Sequence, residues 1–369
     1  MQPAQSVRLC QHGGMVSHRL SEFLRAAGAS QSDIEQAEAN GWLPVLALDR
    51  LLMPGAPLHD LDSLAAKSGV DGDRLTRIWR ALGFPDVPRG LELFSDRDLE
   101  AVQRLAGTSA GAVGGLRRAL GEPETPARII SAALSRIAAY EVELFAAGLD
   151  DLRRAGKDDD EAALAMLDDF EWDELAWFID YIHRLQLRAA AWRRLTTSTE
   201  AGGLELGVGF VDLSGYTELS EELDDHGLAE LLDQFEVVVG DTVAQLGGRV
   251  VKTIGDEIMF VGPGDSVASI ALTILERARR IEDLPSVRIG VSFGPVLARG
   301  GDYFGPVVNL ASRVTDRARP GSILASESLH DLLDGDERFS FRPLASRRIR
   351  GIGPVRLFAL RGPLPAPTS

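Results

Sequence analysis

Near residue 200 the spacing of apolar residues changes from a helical period to alternating strands and helices, so the chain reads as two differently built halves. From 16 to 200 it is helix after helix. Short helices are predicted at Val16–Ala27, Ser32–Asn40, Leu61–Ser68, Gly72–Leu82 and Ser95–Leu105, separated by Gly28, Gly41, Gly69, Pro85 and Pro88. A longer helix is predicted over Pro126–Ala155, and Asp158–Asp159–Asp160 makes an acidic start for another. Leu175, Phe178, Ile179, Ile182 and Leu185 recur at helical spacing within Asp173–Leu195. The polar stretch 196–203 reads as a linker, giving an all-α domain over 1–195 and a second domain over 204–369.

In the second domain Leu206–Leu213 is a strand that ends at Ser214–Gly215. Leu219–Leu246 is helical, with Leu228, Leu231, Leu232, Phe235, Val238 and Val239 on one face, and Gly247–Gly248 stops it. Arg249–Ile254 and Glu257–Val261 make a hairpin that turns at Gly255–Asp256. Ser266–Ile281 is a helix, Val287–Leu297 a strand, and Val355–Leu360 the last strand. The order β-α-β-β-α-β is that of a ferredoxin-like α+β sandwich.

A length of 369 residues suits two cores. The net charge of −16 is shared by both halves and argues against nonspecific nucleic-acid binding, which needs a basic face. A phosphate ligand would have to be held locally, by metal ions, backbone amides or a few arginines. A single cysteine, Cys10, excludes an intrachain disulfide and fits a reducing compartment. No run approaches the roughly 18 apolar residues of a membrane span, and no secretory signal is legible, so a cytoplasmic protein is expected.

Two acidic residues call for a chemical reason. Asp212 lies inside an apolar strand, in Phe-Val-Asp-Leu-Ser-Gly-Tyr-Thr, and Asp256 lies at a hairpin tip, in Lys-Thr-Ile-Gly-Asp-Glu. In a ferredoxin-like fold these strands are neighbours, so the carboxylates can converge. Oxygen ligands without nearby His or Cys suit Mg²⁺ or Mn²⁺ rather than zinc. The turn from Leu213 through Ser214, Gly215 and Tyr216 to Thr217 opens onto a helix, where backbone amides can meet phosphate oxygens.

These segments resemble the class III nucleotidyl cyclases. Phe210–Thr217 matches that family's F-x-D-[IL]-x-G-[FY]-T strand-turn, Lys252–Asp256 its K-x-x-G-D hairpin, and Asp302 followed by Asn309-Leu-Ala-Ser-Arg313 its D…N-x-A-x-R arm. The resemblance implies that Asp212, Leu213 and Asp256 hold two divalent cations. It implies that Arg313 meets charge growing on the α-phosphate, that Asn309 orients the ribose, and that Lys252 and Asp302 read adenine. Relatives that make cyclic GMP carry other residues, typically Glu and Cys, in place of that last pair. ATP cyclisation to cyclic AMP is therefore expected, at sites shared across a head-to-tail homodimer. Several relatives place a phosphate-binding lysine near the chain end; Arg350 is the nearest match here.

The helical half carries no catalytic constellation. Leu64–Phe84 has a helix-turn-helix look, but His59–Leu105 holds seven bases against nine acids, so a packed hairpin is the safer reading. A bundle of this size can also hold an apolar ligand. Its position before the cyclase suggests a regulatory, autoinhibitory domain, and His183, in the helix leading to the cyclase, is a candidate pH sensor. The alternative from another class is a catalytically silent, nucleotide-binding regulatory protein.

Overall fold

The computed structural model describes residues 18–107, 124–169, 172–196, 204–349 and 351–362. The chain divides into two compact units, Met1–Leu185 and Gln186–Ser369. The division falls within a helix, rather than after it where the sequence places the linker. Residues 197–203 of that linker lie outside the described residues.

The first unit is helical: α1 (His18–Ala26), α2 (Gln31–Asn40), α3 (Leu43–Leu52), α4 (Leu61–Ser68), α5 (Gly72–Ala81), α6 (Asp96–Gly107), α7 (Glu124–Arg154), α8 (Asp159–Asp169) and α9 (Trp172–Thr196). Caps set several boundaries. Ser30 and Asp33 form a capping box on α2, and Asp60 and Asp71 cap α4 and α5. α3 has no counterpart among the helices expected from sequence, where Gly41 is read as a separator. Its Pro44 occupies the first turn, where its missing N–H costs nothing.

Leu20, Leu24, Ile34, Leu43, Ala47 and Ala163 form one core, and Leu64, Leu75 and Phe94 a smaller one. The helix-turn-helix segment is a packed hairpin: α4 and α5 meet around Gly69, and Trp79 stacks on Phe84 with ring centroids 4.5 Å apart. Nothing among the described residues of this unit supports the apolar-ligand expectation. The crevice lined by Pro44, Leu48, Phe145 and Met166 is filled by those side chains and leaves 0 Å³ even for a water-sized molecule. No helix of the described residues is long and apolar enough to cross a membrane.

The second unit is the α+β half. Its sheet runs β2 (Arg249–Ile254), β3 (Glu257–Gly262), β1 (Leu204–Leu213), β4 (Val287–Arg299), β6 (Ser322–Ser326), β10 (Leu357–Arg361), β7 (Ser340–Pro343). β5 (Asp302–Phe304) pairs with the end of β4, and β8 (Arg347–Ile349) with β9 (Gly353–Val355) makes a separate ribbon. The helices are α10 (Tyr216–Glu222), α11 (Asp225–Gln245), α12 (Gly264–Ala278), α13 (Pro306–Thr315) and α14 (Glu327–Leu333). The expected β-α-β-β-α-β order is present. The helix expected over Leu219–Leu246 is two, because the Asp224 carboxylate accepts from the Gly227 N–H at 2.8 Å and starts a new helix.

Alternation in β1 sends Val211 and Leu213 to a core with Phe235, Ile270 and Ile274 of α11 and α12. Val208 and Phe210 face α13 through Val307, Val308 and Ala311. Gly290 lets α13 lie directly on β4: a Cβ there would come within 2.4 Å of the Thr315 amide nitrogen. Gly290→Ala should therefore destabilise this unit by about 1–3 kcal/mol in chemical denaturation. Equal midpoints would show that α13 is not held there.

Candidate active site

At the end of β1, Asp212 faces the α13 side of the sheet. Its neighbours in register are Glu257 on β3 and Arg288 on β4. Arg288 grips it with both prongs, Nε to one carboxylate oxygen at 2.7 Å and a terminal nitrogen to the other at 3.1 Å. The Leu213 N–H donates to the Asp256 carbonyl at 3.2 Å, drawing the hairpin tip to the end of β1. Burial, and then the charge of Asp212, raises the Asp256 carboxyl; its own backbone hydrogen bond and Arg288 oppose the rise. Burial first, then the charges of Asp212, Asp316 and Asp256, push Glu257 up to about 7 against the pull of Arg288.

Carboxylates outnumber cations here, so the like charges add to the burial that is the first cause of both rises. The Arg288 guanidinium stands on both Asp212 oxygens as a cation would. Asp212 and Asp256 are all-oxygen donors, which fits Mg²⁺ or Mn²⁺. Among the described residues no three His, Cys, Asp or Glu side chains converge as a closed cage. Mg²⁺ commonly binds through one or two carboxylates, with water and substrate phosphates completing its shell.

The Leu213 side chain is buried in the core, so only its main chain can take part in a metal site. The phosphate-binding turn needs correction at its start. The Leu213 amide is spent on Asp256, and the Ser214 amide donates to the Ser286 carbonyl at 2.8 Å. Gly215, at φ 81°, opens α10 without any side-chain cap, so the usable amides are those of Gly215, Tyr216 and Thr217. The Ser214 Oγ is buried without a hydrogen-bond partner.

The other residues gather on β2, β5 and α13. Lys252 Nζ donates to Asp302 Oδ2 at 2.5 Å, and Asp302 Oδ1 accepts the Tyr303 N–H at 2.7 Å. Both side chains are about one-third exposed or less (33% and 27%), so a mispaired ligand group would be costly to leave there. Asn309 and Arg313, one helical turn apart on α13, line a groove of about 500 Å³ with Ser312, Asp316, Gly351 and Ile352. Among the described residues the Arg313 guanidinium has no partner and is free to meet an anion. No hydrogen bond or ion pair among the described residues joins these four side chains to Asp212 or Asp256.

Arg350 lies outside the described residues. His183 is exposed on α9, with no hydrogen-bond partner among the described residues. Sequence reasoning missed Arg288. The signal that singled out Asp212 was present, a charged residue within an apolar strand, in Val-Arg-Ile-Gly-Val. It also missed His59, buried in the first unit between the Asp96 carboxylate at 2.8 Å and Lys67 Nζ at 3.2 Å.

Residues 203–362 match the family model described as the adenylate and guanylate cyclase catalytic domain. An adenylate cyclase of Streptomyces coelicolor is 31% identical over 344 residues, which span 85% of this chain and 89% of that protein. An adenylate cyclase of Streptomyces griseus is 33% identical over 284 residues, 76% of this chain and 69% of that one. A pH-sensitive adenylate cyclase of Mycobacterium tuberculosis is 35% identical over 191 residues, 50% of this chain and 48% of that one.

Proposed function

The chain belongs to the class III adenylate and guanylate cyclase family, and on that premise we propose that it is an adenylate cyclase, converting ATP to 3′,5′-cyclic AMP and pyrophosphate. The Lys252–Asp302 pair carries this choice of base. Adenine presents an acceptor at N1 and a donor at its 6-amino group, which match an ammonium and a carboxylate. Guanine reverses that pattern and would leave both side chains mispaired in a half-buried site.

Asp212 and Asp256, with the main chain of Leu213, hold two divalent cations in this reading. Such cations, when bound, lower the pKa of the ribose 3′-hydroxyl and neutralise the triphosphate. Arg313 stabilises charge that grows on the α-phosphate, and Asn309 positions the ribose. Arg288 now bonds both Asp212 oxygens, so a cation held there would have to displace its guanidinium. The first-turn amides at Gly215–Thr217 add donors for phosphate oxygens.

Exchanging the base-reading pair tests the proposal. Lys252→Glu with Asp302→Cys should lower ATP turnover by about 100-fold or more and raise turnover of GTP. ATP turnover within a few-fold of the parent would contradict the assignment. Metal binding has a readout apart from activity: Mn²⁺ at 100 times its Kd should stabilise the parent by about 2.7 kcal/mol. The double variant Asp212→Asn/Asp256→Asn should lose most of that gain, and an equal gain in both would place the cation elsewhere.

The working enzyme is a head-to-tail homodimer in this proposal, with metal residues from one subunit and base-reading residues from the other. Leu297 and Phe304, cross-strand partners on the β4–β5 hairpin beside Asp302, support it: they are 62% and 49% exposed, an apolar pair that a partner would cover. The helical half is proposed to restrain the catalytic pair, with pH as the release. The M. tuberculosis relative named as pH-sensitive supports a search for that response. His59 is a second candidate sensor besides His183. Its ring is tied to two charged groups of the first unit, Lys67 at Nδ1 and Asp96 at Nε2. Replacing each histidine by alanine should identify the switch as the variant whose activity–pH profile flattens. Profiles that match the parent in both would remove histidine sensing from the account.

A further inference from the structure

At the far end of the sheet from the candidate active site, a cavity of about 1210 Å³ lies among the end of α12, β6, β10 and β7. Leu324, Leu344, Leu357 and Ala359 give it an apolar floor, and Arg317, Arg319, Arg342 and Arg361 stand around it. Its one acid, Glu276, is already hydrogen-bonded to Arg280. Among the described residues these four guanidiniums have no ion pair or hydrogen bond. Arginines elsewhere commonly have such partners, as Arg80 does with Asp86 and Arg356 with Glu327.

The cluster is not a chance of a basic surface, because the chain has 55 acids against 39 bases. The sheet itself sets two of the charges together. Arg342 is in register with Ala359, so Arg361, two residues on, is its diagonal neighbour on the same face. Like charges so placed repel, and an anion between them would relieve the repulsion. Several guanidiniums around one concavity also need several negative charges, which a monoanion does not supply. Their planar forks match phosphate oxygens, and the apolar floor beneath weakens solvent screening.

We propose that this cavity is a second, non-catalytic site for a small polyanion carrying two or more phosphate groups, as a condensed phosphate or a nucleoside polyphosphate does. It shares no lining residue with the groove at Asn309 and Arg313.

Calorimetric titration of the full chain with inorganic tripolyphosphate, in EDTA to disfavour the metal-dependent site, tests the proposal. Saturable binding is expected. Arg342→Ala/Arg361→Ala should weaken it by about tenfold or more, and Arg317→Ala/Arg319→Ala should do the same. Arg313→Ala should leave it intact, and cyclase turnover without added tripolyphosphate should not change in the Arg342/Arg361 variant. GTP titrated in parallel separates the sources: tighter GTP binding points to a nucleotide, and tighter tripolyphosphate binding to a condensed phosphate. No saturable binding to the parent, or binding lost in Arg313→Ala but kept in both rim variants, would overturn the proposal. Rim-dependent binding to phosphatidylglycerol vesicles, with none to tripolyphosphate or GTP, would overturn it in favour of a lipid surface.

Discussion

Asp212→Asn and Asp256→Asn should each lower cyclic AMP formation by about 1000-fold or more while the protein stays folded. Two-metal assistance supplies several kcal/mol of transition-state stabilisation, and each 1.36 kcal/mol is a factor of ten. Asparagine is the informative replacement at 212. It still offers Arg288 an acceptor, whereas alanine leaves that guanidinium unpaired and half-buried, which costs on the order of 1–3 kcal/mol. Loss of turnover in Asp212→Asn with an unshifted unfolding midpoint therefore reports on chemistry rather than stability. Retention of more than a few per cent of activity in both variants would contradict the metal assignment.

Arg313→Ala should lower turnover by about 100- to 1000-fold, the usual loss on deleting a donor to developing anionic charge. Among the described residues the side chain has no partner, so its removal should leave the unfolding midpoint close to the parent's. Its behaviour in mixtures is sharper. If metal residues and Arg313 of one site come from different subunits, a mixed dimer of Asp212→Asn and Arg313→Ala chains has one intact site. Equal amounts, unfolded and refolded together, should recover about a quarter of parental activity, since half the dimers are mixed and each has one working site. Mixtures as inactive as either parent would contradict the shared site.

Much of this was legible from local rules. Asp212 stood out because a carboxylate has no place in an apolar strand without a task, and Gly255–Asp256 because a hairpin needs such a turn. Lys252 and Asp302, fifty positions apart, were linked only through the family resemblance. Their 2.5 Å hydrogen bond depends on β5 folding back along β4, which no local pattern announces. The same holds for Arg288: its meaning lies in the register that sets it opposite Asp212, and register is a property of paired strands. The turn at Ser214 misled because a sequence shows amides but not which carbonyl takes them, here that of Ser286. In the helical half α3 was not among the expected helices; its Pro44 sits in the first turn, where a proline is tolerated.

Product formation by the full chain with Mn²⁺, given ATP or GTP at equal concentration, decides whether this protein is an adenylate cyclase. Cyclic AMP and pyrophosphate are expected in equal amounts from ATP, with kcat/KM for ATP at least about tenfold above that for GTP. A folded chain that binds ATP but releases neither product would contradict it and identify a silent nucleotide-binding regulator. Preference for GTP would contradict the adenine-reading roles of Lys252 and Asp302.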